Sequence, residues 1–242
     1  MLHRSYALMC YTVFLVSFLY AIGFVGNLLV PKAIDGPVAR TGWPAILIDV
    51  LVLGAFAVQH SVMARPAFKR WWTRFVAPPI ERSTYVLLSS ALLVLVFVAW
   101  QPLPSMVWDV QGTPLAPILL ALQALGWLVV LLSTFMISHF ELFGLTQAWR
   151  TARAQPPQAQ APFVERFFYR FVRHPIMLGF LVAFWATPAM SQGHLLFALL
   201  TSGYILVGVR LEEADLRATI GRDYEDYRTR VPMLVPFTRP RG

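Results

Sequence analysis

The sequence predicts an all-α protein that crosses a membrane several times. Of its 242 residues, 57% are hydrophobic and only 13% are charged, whereas soluble domains carry about 25% charged residues. The hydrophobic residues form continuous stretches, and a helix needs about 20 such residues to span a bilayer. Because these stretches lack the alternation of barrel strands, helices are the elements expected to satisfy the backbone in lipid.

Six hydrophobic stretches are predicted to be spans, or five if the short fifth stretch does not cross. Their bounds in the sequence are 7–30, 43–63, 84–100, 115–138, 176–190 and 194–211. The first has no cleavage motif and is expected to be retained. Only three residues separate the fifth stretch from the sixth, so these two are expected to form a tight, tilted hairpin.

Positive charges predict how these spans are oriented. Of the 20 Lys and Arg residues, 18 lie on the side that a six-span chain shares with both of its termini, and only Lys32 and Arg40 lie on the other. The positive-inside rule therefore places both termini in the cytoplasm. The net charge of +8 indicates orientation and contact with anionic lipid rather than nucleic-acid binding. A single cysteine, Cys10, excludes an internal disulfide.

Two cytoplasmic loops are predicted to form amphipathic helices in the membrane interface. Over 68–76 and again over 163–173, apolar residues recur at helical spacing opposite Lys and Arg. Such helices lie flat on the membrane with their cations facing phosphates, and anchoring explains them as well as a catalytic role does. Between the fourth span and the second amphipathic stretch, 151–162 has the Pro, Ala and Gln content of a linker.

Ionisable side chains gather at the cytoplasmic ends of the predicted spans. Such groups are unfavourable at membrane depth and indicate a functional site. The candidates on the amino-terminal side are Gln59, His60, Glu81, Arg82, Tyr85 and His139, and those on the carboxy-terminal side are Arg173, His174, Arg210, Glu212, Glu213, Tyr224 and Tyr227. The histidines contain no i, i+4 pair, so no metal site is predicted.

From Arg173 onward the chain resembles the isoprenylcysteine carboxyl methyltransferase-like membrane enzymes. That group carries Arg-His-Pro-x-Tyr-x-Gly, then Glu-Glu-x-x-Leu, then Gly-x-x-Tyr-x-x-Tyr and Val-Pro. The matching residues here are Arg173, His174, Pro175, Gly179, Glu212, Glu213, Leu216, Gly221, Tyr224, Tyr227, Val231 and Pro232. Met177 stands where the carboxyl methyltransferases have Tyr, so an acceptor other than prenylated cysteine is expected, with Met177 among its contacts.

The amino-terminal part resembles the membrane methanethiol S-methyltransferases, which make dimethyl sulfide from methanethiol. The motifs that carry the resemblance are Gln59-His60-Ser61, Arg65-Pro66, Glu81-Arg82-Ser83-Thr84-Tyr85 and His139-Phe140-Glu141-Leu142-Phe143-Gly144. The NnrU proteins associated with denitrification share parts of this pattern.

These resemblances imply one membrane domain, 1–242, in a bacterial inner membrane, with its active site facing the cytoplasm. S-adenosylmethionine would bind to residues of 163–242, where Arg173, His174, Pro175, Gly179, Arg210, the Glu212-Glu213 pair and the two tyrosines match its charged groups, ribose and adenine. The chain lacks the Gly-rich strand–turn–helix of soluble methyltransferases. No obligate protein partner is evident.

The acceptor side is assigned to 1–145. A thiol is mostly protonated at neutral pH, so a base is useful, and His60 or His139 would take the proton while Tyr85 orients the thiol. Gln59, Glu81 and Arg82 are assigned to substrate contacts. Hydrogen sulfide is a second acceptor that fits. Two other functions remain open: methylation of a lipid or prenylated cysteine, and a non-catalytic NnrU-like accessory role in nitrogen-oxide metabolism.

Overall fold

The computed structural model describes residues 2–152 and 165–238. Their regular elements are helices and two short strands. The elements are α1 (Leu2–Gly26), α2 (Trp43–Ala64), α3 (Pro66–Trp72), α4 (Pro78–Ala99), β1 (Met106–Asp109), α5 (Leu115–Ile137), α6 (His139–Leu142), α7 (Leu145–Ala152), a 3₁₀ turn (Phe167–Arg170), α8 (Pro175–Trp185), β2 (Ala189–Ser191), α9 (Gln192–Ile220) and α10 (Arg222–Arg230). The two strands form one two-stranded sheet. The predicted all-α class is confirmed.

Five of the described helices are long and apolar enough to cross a membrane: α1, α2, α4, α5 and α9. The prediction of a multi-pass membrane protein is therefore confirmed. Helices α2 and α4 begin with proline in their first turn, where the missing N–H has no intrahelical partner to lose. Helix α9 has 29 residues and extends beyond the predicted span, so that Glu212 and Glu213 lie on its last turns.

The fifth predicted span is shorter than expected. Helix α8 has 11 residues and rises about 16 Å, roughly half of a bilayer core of about 30 Å. It ends at Trp185 because Pro188, three residues on, cannot continue a helix. The extended segment after α8 lies beside the chain that leads into α5, since Val110 N donates to the Pro188 carbonyl at 2.9 Å and Trp108 Nε1 donates to the Thr187 carbonyl at 3.1 Å.

The chain divides into two compact units, each built from discontinuous segments. The first comprises Met1–Val107, Ser138–Pro157 and Ser191–Leu196, and the second comprises Trp108–Ile137, Gln158–Met190 and Phe197–Gly242. In the first unit α1 and α2 pack on α4, with α7 against α1 and α4, whereas in the second unit α5 packs along α8. The functional division at 1–145 and 163–242 stays a prediction.

Helices α5 and α8 approach closely through glycines. A Cβ atom added to Gly179 would lie 2.7 Å from the carbonyl oxygen of Gly126, and one added to Gly126 would lie 2.6 Å from the backbone nitrogen of Ala183. Small residues at facing positions allow this approach between membrane helices. Trp127 packs beside these glycines, with its ring edge-on to those of Phe180 and Phe184 at centroid distances of 5.9 and 5.8 Å.

Replacing Gly179 by Ala is expected to destabilise the protein by about 1–3 kcal/mol, because the added methyl group overpacks this contact. Thermal unfolding of the detergent-solubilised protein measures the effect. Gly208→Ala is the matched control, since its Cβ in α9 would meet nothing within 4 Å and alanine is the better helix former. Equal melting temperatures for the two variants would contradict the close approach.

The first predicted interfacial helix is present as α3, with Phe75 beyond its end. Trp71 and Phe75 are exposed, while Phe68 and Trp72 pack against the buried cluster of Met63, Tyr85 and Val86. This helix therefore has one apolar face directed at the protein and an aromatic edge directed outward.

The second predicted interfacial helix is wrong over the residues that the structure describes. Only one 3₁₀ turn forms, at Phe167–Arg170, because His174 precedes a proline and is disfavoured from helical geometry. Instead Arg173 N and His174 N donate to the carbonyls of Pro232 and Met233, at 2.9 and 3.2 Å. Phe163, Val164 and the linker beyond Ala152 lie outside the described residues.

Candidate functional site

The second unit gathers ionisable side chains around the last turns of α9. We call Arg173, His174, Glu212, Glu213 and Arg228 the carboxylate cluster. The extended segment before α8 supplies the first two residues, α9 supplies the glutamates, and α10 supplies Arg228. The pairing of that extended segment with the chain after α10 holds the three elements together.

Arg173 is a buried link between α9 and the carboxy-terminal tail. Its Nε donates to Glu213 Oε1 at 2.6 Å, and its Nη1 donates to the carbonyls of Arg228 and Val231 at 3.1 and 2.7 Å. Its side chain is 2% exposed. A buried guanidinium is tolerated only when it is paired and its donors are satisfied, so this residue fixes the geometry of the cluster.

His174 lies between the two glutamates. Its Nε2 is 3.1 Å from Glu213 Oε1 and its Nδ1 is 3.5 Å from Glu212 Oε2. An ionised carboxylate only accepts hydrogen bonds, so the two ring nitrogens together donate as an imidazolium. Burial by itself lowers the pKa of His174, but the hydrogen bonds to Glu212 and Glu213 outweigh it and the pKa is raised.

This raised pKa predicts that stability falls as pH rises. A histidine whose folded pKa exceeds its unfolded value of about 6.5 stabilises the fold fully below that pH and loses the contribution as pH passes its folded value. We therefore expect the melting temperature to decrease between pH 6.5 and the alkaline side, and His174→Gln to flatten the decrease. Identical pH slopes for wild type and variant would contradict the assignment. Burial lowers the pKa of His139, so protonation of that residue changes the stability only at pH values below about 6.5.

Tyr224 and Tyr227 share one face of α10, as their spacing predicts, and both rings are almost fully buried. They pack with Val231 against Leu216 and Ile220 of α9, and the Tyr227 hydroxyl donates to the Tyr169 carbonyl at 2.5 Å. Burial raises the pKa of both tyrosines, and Glu213 adds to the rise at Tyr224. Both are therefore neutral phenols that attach α10 to α9.

The other second-unit candidates are less tightly grouped. Pro175 and Gly179 are buried on α8, Met177 is half-buried there, and Arg210 is exposed on α9. Sequence reasoning missed Arg228, whose Nη1 donates to Glu225 Oε2 at 2.7 Å and whose Nε lies 3.6 Å from Glu213 Oε2. Its only sequence signal is its place directly after Tyr227.

In the first unit, His60 and Tyr85 lie against each other. Their ring centroids are 5.3 Å apart, and the Tyr85 hydroxyl donates to the His60 carbonyl at 3.4 Å. The Arg82 guanidinium lies 4.9 Å from the centre of the Tyr85 ring, which is cation–π distance. Gln59, which precedes His60 on α2, accepts a hydrogen bond from Ser89 at 3.3 Å.

The segment that opens α4 is joined to the segment that follows α5. Arg82 Nε donates to the Leu142 carbonyl at 2.7 Å. Gly144 has a φ of 85°, and a Cβ there would lie 2.6 Å from Ser83 N, so glycine is required by both conformation and space. Nearby in the chain, Glu81 Oε1 is buried and accepts no hydrogen bond from the residues that the structure describes.

His139 is buried in an aromatic environment. Its Nε2 lies 2.8 Å from the Tyr11 hydroxyl, and its ring centroid is 4.9 Å from that of Phe143. Phe143 stacks on Phe14 at 3.9 Å, and both pack against the cluster that contains Tyr85. Because burial lowers its pKa, His139 is neutral at pH 7.

The first unit thus brings Gln59, His60, Arg82, Tyr85 and His139 into one neighbourhood. Tyr11 and Phe14 belong to it as well, and sequence reasoning missed them because they lie within an apolar span that gives no local signal. Within the described ranges, no group of three or more His, Cys, Asp or Glu residues could hold a metal ion.

Comparison with known proteins places this architecture in a family. The family model described as NnrU protein matches residues 47–220. Methanethiol S-methyltransferase from Mycobacterium tuberculosis is 54% identical over 232 residues, which cover 96% of this chain and 95% of the relative. Methanethiol S-methyltransferase 2 from Bradyrhizobium diazoefficiens is also 54% identical, over 98% of this chain and 91% of the relative.

A more distant similarity extends to an animal protein. Nurim from Sus scrofa is 32% identical over 200 residues, which cover 75% of this chain and 76% of nurim. No solved structure is significantly similar to the chain. On the strength of the matched family model and the near-full-length relatives, this chain belongs to the NnrU protein family and to the same family as the methanethiol S-methyltransferases.

Proposed function

We propose that this protein is an S-adenosylmethionine-dependent thiol S-methyltransferase that converts methanethiol to dimethyl sulfide, with hydrogen sulfide as a second acceptor. The observation that carries the proposal is the 54% identity, over nearly the whole of both chains, to relatives named for that activity. The described site residues are consistent with it, because each unit by itself holds polar groups of the kinds that the reaction requires.

We assign the cofactor to the carboxylate cluster. S-adenosylmethionine carries a carboxylate, an ammonium, a ribose and a positively charged sulfur. Glu212 is the group best suited to the ammonium or the ribose hydroxyls, since its side chain is 47% exposed and its neighbour Glu213 is committed to Arg173. The buried cations beside it favour a bound carboxylate. The donor set therefore fits the ligand.

We assign the two tyrosines a supporting role in the same site. Their rings fix α10 against α9, so they hold Arg228 and the cluster in place. Stacking of Tyr224 or Tyr227 on adenine, and cofactor contacts from Pro175, Gly179 and Arg210, stay predictions. When bound, S-adenosylmethionine supplies a methyl group on an activated sulfonium, so the protein has mainly to align the acceptor, which contributes up to about 7–11 kcal/mol to lowering the barrier.

The acceptor thiol is assigned to the neighbourhood of His60, Tyr85 and His139. A neutral imidazole can accept the thiol proton, and the resulting thiolate is the nucleophile. His139 meets this requirement because burial lowers its pKa. The aromatic side chains around it exclude water from a small apolar thiol. Glu81, whose Oε1 accepts no hydrogen bond from the described residues, is proposed as a polar contact of the acceptor, together with Gln59 and Arg82. The substrate contact of Met177 stays a prediction.

The orientation belongs to the same proposal. With 18 of the 20 Lys and Arg residues on one side of the predicted topology, the termini and the active site face the cytoplasm of a bacterial inner membrane. Cysteine accessibility tests this: a maleimide that cannot cross the membrane should label Thr238→Cys only after permeabilisation, and Gln111→Cys in intact cells. A Cys10→Ser background removes the single native cysteine.

The proposed activity is tested by headspace gas chromatography on purified protein in detergent with S-adenosylmethionine and methanethiol. Dimethyl sulfide above a control without protein supports the proposal. Binding of S-adenosylmethionine without product would keep the methyltransferase and replace the acceptor with a lipid or another thiol. Absence of cofactor binding would overturn the proposal in favour of a non-catalytic accessory role.

A further inference from the structure

Tyr11 and His139 form a partly buried pair that links the first span to the segment after α5. The Tyr11 hydroxyl is 2.8 Å from His139 Nε2. The two rings meet at 84° with centroids 5.8 Å apart. The pair is packed between Phe140 and Phe143, whose centroids are 5.3 and 4.9 Å from that of His139.

This contact bears on which nitrogen of His139 carries the proton, because either partner can be the donor. A neutral imidazole has one N–H and one lone-pair nitrogen. A phenol is a stronger donor than an imidazole N–H, so the favoured arrangement has Tyr11 donating to Nε2 and the ring proton on Nδ1. Nε2 is then the basic atom of His139, and a proton reaches it through the Tyr11 hydroxyl.

The charged groups of the neighbouring elements have partners of their own. Arg82 of α4 donates to the Leu142 carbonyl at 2.7 Å. Glu141, in the same short helix as His139, lies 3.9 Å from Arg150 of α7. From α1, Tyr11 is the titratable group that meets the ring. Burial lowers the pKa of His139, and the Tyr11 hydroxyl is a hydrogen-bond partner of its Nε2.

We propose that Tyr11 relays the proton of the reaction: the acceptor thiol gives its proton to the Tyr11 oxygen as the Tyr11 hydroxyl gives its own proton to His139 Nε2. One S–H and one O–H bond break, one O–H and one N–H bond form, and the thiolate is left as the nucleophile. The inference rests on the proposed function in giving His139 the role of base. It adds a residue of the first membrane span to the reaction, although that span carries none of the family motifs noted above.

The test compares Tyr11→Phe with Tyr6→Phe. Tyr6 is the matched control because it lies on the same helix, is similarly half-buried, and its hydroxyl hydrogen-bonds Thr84 Oγ1 at 3.0 Å. For each protein we would measure kcat, KM for the thiol, the pH dependence of kcat/KM, and the ¹⁵N chemical shifts of His139 with imidazole-labelled histidine.

Tyr11→Phe is expected to lower kcat by about 10²-fold or more, the scale for loss of a positioned proton-transfer group, with little change in KM. Because the lost bond stabilised neutral His139, its pKa rises and the acid limb of the pH profile moves to higher pH. The His139 ¹⁵N shifts change from one tautomer toward a mixture. Tyr6→Phe should leave all four measurements at wild-type values.

Two results would overturn the inference. The first is a Tyr11→Phe enzyme with the pH profile and ¹⁵N shifts of Tyr6→Phe, whatever its kcat, because a purely structural role moves neither. The second is an altered tautomer with unchanged turnover, which would leave Tyr11 without a part in the reaction. If wild type makes no product at all, the proposed function fails, and the ¹⁵N shifts still decide whether Tyr11 sets the state of His139.

Discussion

Glu213→Gln is expected to abolish cofactor binding and to destabilise the protein. The Glu213 carboxylate accepts from Arg173 at 2.6 Å and from His174 at 3.1 Å, and its side chain is 10% exposed. Removing one partner from a buried ion pair leaves the other charge uncompensated, which costs about 3–5 kcal/mol. Glutamine keeps one acceptor oxygen but removes the negative charge that Arg173 and His174 face, so the extended segment before α8 should be held less firmly against α9.

Two measurements separate the structural part of this effect from the ligand part. Thermal unfolding without ligand should show the full destabilisation for Glu213→Gln. Isothermal titration with S-adenosylmethionine should show no binding. Glu212→Gln is the informative control, since Glu212 is half-exposed and touches His174 only at 3.5 Å. We expect it to weaken binding while unfolding stays close to wild type.

A different pattern would contradict the proposed cofactor site. If Glu213→Gln has the melting temperature and the S-adenosylmethionine affinity of wild type, the carboxylate cluster neither stabilises the fold nor binds the ligand. If Glu212→Gln binds normally, the exposed carboxylate is not a ligand contact. Glu165→Gln provides a baseline, because this side chain pairs with the exposed Arg230, and surface pairs contribute little.

His139→Gln is expected to lower kcat by about 10²–10⁴-fold while cofactor binding is unchanged, which is the usual effect of removing a general base. The physical reason is that His139 is neutral at pH 7 and its Nε2 is held by Tyr11 at 2.8 Å. Glutamine is similar in size and can hydrogen-bond Tyr11, so the variant removes the proton acceptor with little change in packing.

His60→Gln measured in parallel decides between the two candidate bases. His60 lies between Phe56 and Tyr85, at centroid distances of 5.4 and 5.3 Å, and a purely packing role predicts a change in stability with a modest change in kcat. Initial rates by headspace detection, with cofactor affinity by titration, separate the outcomes. A large loss for His60→Gln with normal turnover in His139→Gln would transfer the role of base to His60.

Much of this protein can be predicted from local sequence. Continuous apolar stretches of membrane-spanning length define the helices, because in lipid the backbone has to satisfy its own hydrogen bonds. Ionisable groups such as Glu213 are conspicuous in such a chain because they are unfavourable there. The shared helix face of Tyr224 and Tyr227 on α10 also follows from their spacing, whereas the requirement for glycine at Gly144 depends partly on Ser83, which folding brings from a distant position.

Prediction was weaker where a neighbour in space decides the structure. Over the described part of 163–173, the expected helix is replaced by a 3₁₀ turn and a short extended end. There Arg173 N and His174 N pair with the carbonyls of Pro232 and Met233, which are remote in the chain. The fifth span ended earlier than its apolar composition suggested, since composition does not register the effect of Pro188 on backbone geometry.

The membrane class, most of the helices and the identity of most candidate groups follow from the order of residues alone. The partners of these groups are set by packing: Arg173 is engaged by Glu213 and by tail carbonyls, leaving Glu212 as the exposed carboxylate of the pair, and His139 is held by Tyr11. Hydrophobicity and helix periodicity act along the chain and can be read locally, whereas the state of a charge depends on burial and on donors and acceptors that folding brings from distant positions.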